Sequence, residues 1–151
     1  MRRLAAVAFC LLLAGAFASF AAAGPHSLRA KGAHGWIKFW ASGSGTVRVS
    51  GKGSLTVQNV SNLQVKMDGT WGEMQKHPDG ATYTHFEGSM ECIGIGAHIE
   101  IRGWNLELSA KGSGKARFQG EGTVQVDDGP EQAWPNGMTH QGWLKVHFGN
   151  S

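Results

Sequence analysis

The sequence predicts an all-β protein: an antiparallel sandwich or barrel-like meander of about ten short strands, with internal duplication. Three observations predict this fold: apolar and polar residues alternate along most of the chain, glycines recur in G-x-G pairs, and one segment with both features occurs twice. Side chains of a β-strand point alternately to opposite faces, so such alternation is typical of strands with one buried face. A short β-solenoid with glycine at its corners would keep the same alternation and is the alternative.

The alternation is clearest over residues 106–126. The even-numbered positions there (one parity) hold only leucine, alanine, glycine, phenylalanine and valine. The odd-numbered positions (the other parity) hold only polar residues. Residues 37–58 alternate in the same way, with Trp40 as the one large apolar residue on the polar parity. A helix would need apolar residues three and four positions apart, and this spacing is absent from both segments.

The duplication is seen when Ile37–Asn59 is placed over Leu106–Asp128 without a gap. The two segments read IKFWASGSGTVRVSGKGSLTVQN and LELSAKGSGKARFQGEGTVQVDD. Four glycines and four apolar positions then coincide. Gly43, Gly45, Gly51 and Gly53 fall on Gly112, Gly114, Gly120 and Gly122. Val47, Val49, Leu55 and Val57 fall on Ala116, Phe118, Val124 and Val126. We interpret this as the copying of one supersecondary unit.

Each copied segment is much longer than an average strand of about five or six residues, so it must turn or bend at its glycines. One possibility is a hairpin loop at Gly51–Gly53, where glycine supplies positive φ without strain. The other is a continuous strand that coils sharply at inward-facing glycines. Residues 68–80 and 127–137 are predicted to be loops because they contain Asp-Gly, Pro-Asp-Gly and Asn-Gly turn signals.

An export signal is predicted at the N-terminus. Arg2 and Arg3 precede the apolar run Leu4–Phe17, and Ala21-Ala22-Ala23 then offers a small-x-small cleavage site. This order is typical of a cleaved signal peptide, here residues 1–23, ahead of a single domain over 24–151. We therefore expect a periplasmic, cell-surface or extracellular protein with no membrane span after cleavage.

The charge of the processed chain is close to balanced. Removing Arg2 and Arg3 lowers the number of lysines and arginines from 14 to 12, against 11 acidic residues. No basic run remains, so the sequence does not predict nucleic acid as a partner. The partner itself stays open, and an envelope protein or a polysaccharide is the expected class.

No signature of an enzyme or a metal site stands out. Cys92 is the one cysteine after cleavage, so it cannot form an internal disulfide; we expect a small buried apolar residue, with a reactive thiol as the alternative. His85 with Glu87, and His98 with Glu100, each share one strand face, but a zinc site needs three or four converging ligands. The sequence also lacks a G-x-S-x-G motif and a nucleotide-binding glycine loop. We therefore predict no cofactor, no metal and no catalysis.

The tryptophans are the candidate ligand-binding residues. The chain has six of them. Trp71 and Trp134 lie in the two predicted loops, and Trp40 lies on a polar strand face. Exposed aromatic rings among polar groups can stack on a sugar or anchor a protein partner. The alternative is that the loop tryptophans plug the open ends of the fold.

The glycine spacing also resembles a known kind of protein. The cadence G-x-G-x5-G-x-G over Gly43–Val57 and Gly112–Val126, with the strands of Gly88–Gly103 between them, resembles small exported glycine-rich all-β bacterial proteins without an assigned function. This resemblance implies an envelope-associated or secreted module and brings no catalytic residues. We expect a non-catalytic structural or interaction module, with a carbohydrate- or small-ligand-binding domain as the alternative.

Overall fold

The computed structural model describes residues 26–136 and 142–150, so the predicted signal peptide lies outside the described residues. These residues form nine strands and one 3-10 turn, Val60–Asn62. The strands are β1 (Ser27–Ala41), β2 (Ser44–Gln58), β3 (Leu63–Thr70), β4 (Met74–His77), β5 (Gly80–Ile95), β6 (His98–Lys111), β7 (Gly114–Val126), β8 (Gln132–Ala133) and β9 (Leu144–Phe148). Within these ranges there is no helix of the length and apolarity that a membrane crossing requires.

All nine strands belong to one antiparallel sheet. Its order is β3-β5-β2-β6-β1-β7-β8, with β4 also paired to β5 and β9 also paired to β7. The predicted all-β antiparallel class is confirmed, and the sheet formed by the described residues does not close into a barrel. Five of the strands have 13 to 16 residues, so they are longer than the short strands that the sequence predicts.

The short links between the long strands show that each strand bends back on itself. β1 and β2 are both antiparallel to β6, which lies between them, so they run in the same direction. A straight strand of 15 residues is roughly 50 Å long, whereas the chain from Ala41 to Ser44 spans at most about 11 Å. The end of β1 and the start of β2 can meet only if both strands fold over. The two-residue links 96–97 and 112–113 require the same of β5, β6 and β7.

The meeting of the strand ends is visible in backbone hydrogen bonds. Ser42 N donates to Ser113 O at 2.9 Å, which joins the link 42–43 to the link 112–113, and Gly96 N donates to Gly43 O at 3.1 Å, which joins the link 96–97 to the link 42–43. The folded sheet therefore has two layers. Layer A comprises residues 27–33, 44–51, 63–70, 88–95, 104–111, 121–126 and 132–133, and layer B comprises 36–41, 53–58, 74–77, 80–86, 98–102, 114–119 and 144–148.

The core lies between the two layers. Apolar side chains from both layers form one buried cluster, and no polar or charged residue of the described ranges is buried. Its largest members are Phe39, Phe86 and Phe118. This arrangement explains the alternation in the sequence, since the inward-facing residues of the five long strands and of β9 supply the cluster, and their outward-facing residues face water.

Glycine makes the bend possible. β2 runs without a break through Gly51 and Gly53, so the predicted hairpin loop there is wrong and the continuous coiled strand is correct. At Gly103, which pairs with Gly53 and has φ +155°, an added Cβ would meet the carbonyl oxygen of Lys52 and lie 2.9 Å from Gly53 Cα. The strands are longer than predicted because glycine here bends a strand instead of ending it.

The two copied segments have the same form in the structure. Each contains the end of one long strand, a two-residue link and the whole of the next strand. The duplication itself stays a prediction. The loop prediction for residues 68–80 is wrong in part, because the end of β3 and all of β4 lie there and pair with β5. The other predicted loop, 127–137, contains only the short β8 among its described residues.

Trp134 fills the end of the core beside β8. It is 5% exposed, and its ring stacks on Phe118 with the centroids 5.2 Å apart. An added Cβ at Gly122 would lie 2.8 Å from Trp134 Cδ2, so the ring also rests on backbone. This is the plugging role that the sequence left as the alternative for the loop tryptophans.

We predict that Trp134→Ala lowers the free energy of unfolding by about 3–5 kcal/mol, because it removes a large buried ring and leaves a cavity that the two layers cannot fill. Denaturant unfolding followed by far-ultraviolet circular dichroism measures this. Trp71→Ala is the matched control: Trp71 is 44% exposed, and its loss should cost about 1 kcal/mol or less. Equal losses for the two variants would contradict the assignment of Trp134 to the core.

Candidate functional site

A trough crosses the outside of the bend. Its floor is the backbone of four glycines in register on β2, β6, β1 and β7, namely Gly53, Gly103, Gly35 and Gly120. All four are partly exposed, and the cavity above them has a volume of about 630 Å³. Four adjacent strands place the ends of this glycine trough roughly 14 Å apart. The trough is thus longer than a single sugar ring.

Two rows of side chains form the banks of the glycine trough. The residues before and after a strand glycine share the outward parity, and the bend spreads them apart. The layer A bank is Lys52, Trp104, His34 and Glu121, and the layer B bank is Ser54, Arg102, Trp36 and Gln119. Each bank therefore carries one tryptophan, on neighbouring strands and on opposite sides of the floor.

The two tryptophans differ in their contacts and in their exposure. Trp36 is half-buried; its Nε1 donates a 2.7 Å hydrogen bond to Glu100 Oε1, and its ring meets Trp143 edge-on at 5.0 Å. Trp104 is 63% exposed, and its ring has no aromatic or cationic neighbour among the described residues. The trough thus combines one fixed ring with one ring that is open to a ligand.

The charges of the two banks also differ. On the layer A bank, Lys52 Nζ lies 2.9 Å from Glu87 Oε1 and His34 Nε2 lies 3.2 Å from Glu121 Oε2. On the layer B bank, Arg102 lies over the Trp36 ring at 5.0 Å and has no carboxylate within 4.0 Å in the described ranges. Arg102 is therefore the cation of the trough that is free to meet a ligand.

The predicted ligand-binding tryptophans do not come together. Trp40 lies on the outside of layer B, stacked on His98 at 5.1 Å, and Trp71 lies at the β3–β4 edge, edge-on to Tyr83 at 5.3 Å. Trp134 is buried, so its ring is not available to a ligand and is not part of the candidate site. None of the three lines the glycine trough.

Sequence reasoning missed Trp36, Trp104 and Arg102. A signal for the tryptophans was present, since each directly follows a glycine of the bend in the dipeptides Gly35-Trp36 and Gly103-Trp104. The dipeptides alone do not locate a site. Only the pairing of Gly35 with Gly103 in the sheet brings them to one trough.

The histidine–carboxylate pairs of the sequence do not form a metal centre in the described residues. No group of three or more His, Cys, Asp or Glu side chains there could hold a metal ion. Glu87 pairs with Lys52, and burial lowers the pKa of His98, an effect that Glu100 partly opposes. His98 therefore stays largely neutral at neutral pH while it stacks on Trp40.

Cys92 is buried in the core, with 1% of its surface exposed. Burial, with a smaller contribution from the Glu91 carboxylate, raises the pKa of its thiol to about 11. Because the thiolate is the reactive form, we predict no reaction of the native protein with iodoacetamide at pH 8, and full reaction in guanidinium chloride. Mass spectrometry after timed labelling measures this; rapid labelling of the native protein would contradict it.

Comparisons with known proteins assign no family to this chain. No protein family, no curated protein and no solved structure matches it.

Proposed function

We propose that this protein is an exported, non-catalytic binding module that holds a saccharide in the glycine trough. One observation carries the proposal: two tryptophans, Trp36 and Trp104, face a glycine-floored trough from opposite banks. A sugar ring presents an apolar C–H face and a rim of hydroxyls. An open indole suits the first, and side-chain hydroxyls and amides suit the second.

The polar lining of the trough supports this ligand class. Ser54, Thr84 and Gln119 provide hydroxyl and amide groups along the same cavity. These groups can both donate and accept hydrogen bonds, as sugar hydroxyls also do. The floor has no side chains, so a flat ligand can approach the backbone closely.

The absence of paired acids along the trough supports binding without catalysis. Glycoside hydrolysis ordinarily needs two carboxyl groups on either side of the scissile bond. No Asp or Glu is among the described residues that line the cavity itself, and the one acidic residue of the banks, Glu121, lies 3.2 Å from His34. Export is supported by the predicted signal peptide, and a polysaccharide of the cell envelope or surroundings is then the partner.

A second candidate function, an interaction module for another protein, is favoured by the apolar edge at β3 and β4. Five of the six exposed large apolar side chains of the described residues lie there or at the end of β5: Val65, Trp71, Met74, Ile93 and Ile95. A concentration of exposed apolar side chains along one edge of a sheet is typical of a protein-binding surface. It lies apart from the glycine trough, so the two functions can be tested separately.

Calorimetric titration with a panel of soluble oligosaccharides tests the proposal. The panel contains oligomers of glucose, mannose, galactose, N-acetylglucosamine and uronic acids. We expect saturable binding of at least one member, unchanged in Trp71→Ala and in Ile95→Lys, which alter the apolar edge. No binding of any member at millimolar concentration would overturn the proposal, and so would loss of binding in either edge variant with the fold intact.

A further inference from the structure

The outward surface of layer B carries an excess of positive charge. We call the surface formed there by β6, β1, β7 and β9 the layer B face. Its cations are Lys38, Arg102, Lys115, Arg117 and Lys145, and its one acidic residue is Glu100. The overall charge of the protein does not explain this concentration of cations, because the formal net charge of the whole sequence is only +3.

Four of the five cations of the layer B face, all but Lys145, lie over tryptophan rings. Lys38 Nζ lies 4.5 Å from the centroid of Trp36 and 5.2 Å from that of Trp143. Lys115 and Arg117 lie over Trp40 at 5.6 and 5.5 Å. Such contacts restrict long flexible side chains and leave their charge uncompensated. The face therefore presents fixed cations to an incoming anion.

Layer A shows a different arrangement. Its strands mix cations with acidic residues in nearly equal number: Arg29, Lys31, Arg48, Lys66 and Lys111 against Asp68, Glu91, Glu107 and Glu121. Lys31 Nζ lies 3.9 Å from Glu107 Oε1. In the parts of the chain that are described, no cation of the layer B face has a carboxylate within 4.0 Å. The excess of cations over acidic residues thus lies on the layer B face, whereas layer A is nearly balanced.

We propose that the saccharide is acidic, with its rings in the glycine trough and its carboxylates on the layer B face. This inference rests on the proposed function and names the ligand class. Trp36 and Arg102 belong to both surfaces, so a chain that leaves the trough across the layer B bank runs directly onto the cations. Arg102 is placed to take the first carboxylate, and Lys38 and Arg117 are placed to take those that follow.

The position of the tryptophans argues against an anionic membrane as the occupant. A ring that enters a lipid interface must project beyond its neighbours. Trp36, Trp40 and Trp143 are each partly buried, and cations lie over their rings. The surface therefore presents charge, not apolar side chains, to whatever it meets.

The test compares oligomers of galacturonic, mannuronic and guluronic acid with their methyl esters, which keep the rings and remove the charge. We expect at least one acid to bind about tenfold or more tighter than its ester, with the difference falling as salt rises. Lys115→Gln with Arg117→Gln should weaken binding of that acid by about tenfold and leave the ester unaffected. The control, Arg29→Gln with Lys31→Gln on layer A, removes the same charge and should change affinity less than about twofold.

Each outcome has a distinct meaning. Equal affinities for acid and ester would overturn this inference and leave the proposed function standing. Binding of neither, with binding of a neutral oligosaccharide of the panel, would have the same meaning, whereas no binding of any oligosaccharide would overturn both. Equal losses in the two double variants would show general charge attraction and overturn the inference. So would binding of phosphatidylglycerol vesicles or single-stranded DNA as tightly as the best uronate. Thermal unfolding of every variant checks that the fold is kept.

Discussion

Gly103→Ala is expected to prevent stable folding, at a cost of more than about 4 kcal/mol. Gly103 has φ +155°, which L residues rarely adopt, and its added Cβ would overlap the carbonyl oxygen of Lys52. Both obstacles lie in the backbone at the centre of the bend, where no side chain can move aside. Thermal and urea unfolding followed by circular dichroism measures the loss.

Gly43→Ala is the matched control for this prediction. Gly43 lies in the link between β1 and β2, has no atom within 4 Å of an added Cβ, and does not have a positive φ. Its substitution should change the free energy of unfolding by about 0.5 kcal/mol or less. If Gly103→Ala were as stable as Gly43→Ala, the bend described here would be incorrect.

Trp104→Ala is expected to weaken saccharide binding by about tenfold or more, equivalent to about 1.4 kcal/mol. Trp104 is the open ring of the glycine trough, and removing it takes away the surface on which a sugar would stack. Because it is 63% exposed, stability should hardly change. Calorimetric titration with the tightest-binding oligosaccharide measures the affinity.

Trp71→Ala controls for the loss of an exposed indole elsewhere on the surface. Trp71 lies at the β3–β4 edge and is 44% exposed. Its substitution should leave the affinity unchanged. Equal affinities of the wild type and Trp104→Ala would remove Trp104 from the site.

The strand pattern could be predicted from the sequence, because it depends on local alternation. Leu106 and Leu108 are buried, and the polar residues between and after them are exposed, as their parity indicates. The strand pairing could not be predicted in this way. Gly35 faces Gly103 only because β1 and β6 are neighbours in the folded sheet. Local alternation is the same whether a glycine pair turns the chain or bends it.

The site was missed for a related reason. Trp40 attracts attention because it interrupts the polar parity of a copied segment, whereas Trp36 and Trp104 lie just before the two copied segments begin. Their importance comes from the bend, which opens a trough between rows of side chains that a flat sheet would keep together. Trp134 could not be distinguished from an exposed loop residue, since its burial depends on Phe118 and Gly122 beneath it.

Chemical-shift mapping by nuclear magnetic resonance during titration with a bound oligosaccharide tests the glycine trough most directly. We predict that the largest shifts fall on the backbone amides of Gly35, Gly53, Gly103 and Gly120 and on the indole N–H of Trp104. Shifts concentrated instead at the β3–β4 edge, around Trp71 and Ile95, with the four glycines unmoved, would contradict the assignment of the trough as the binding site.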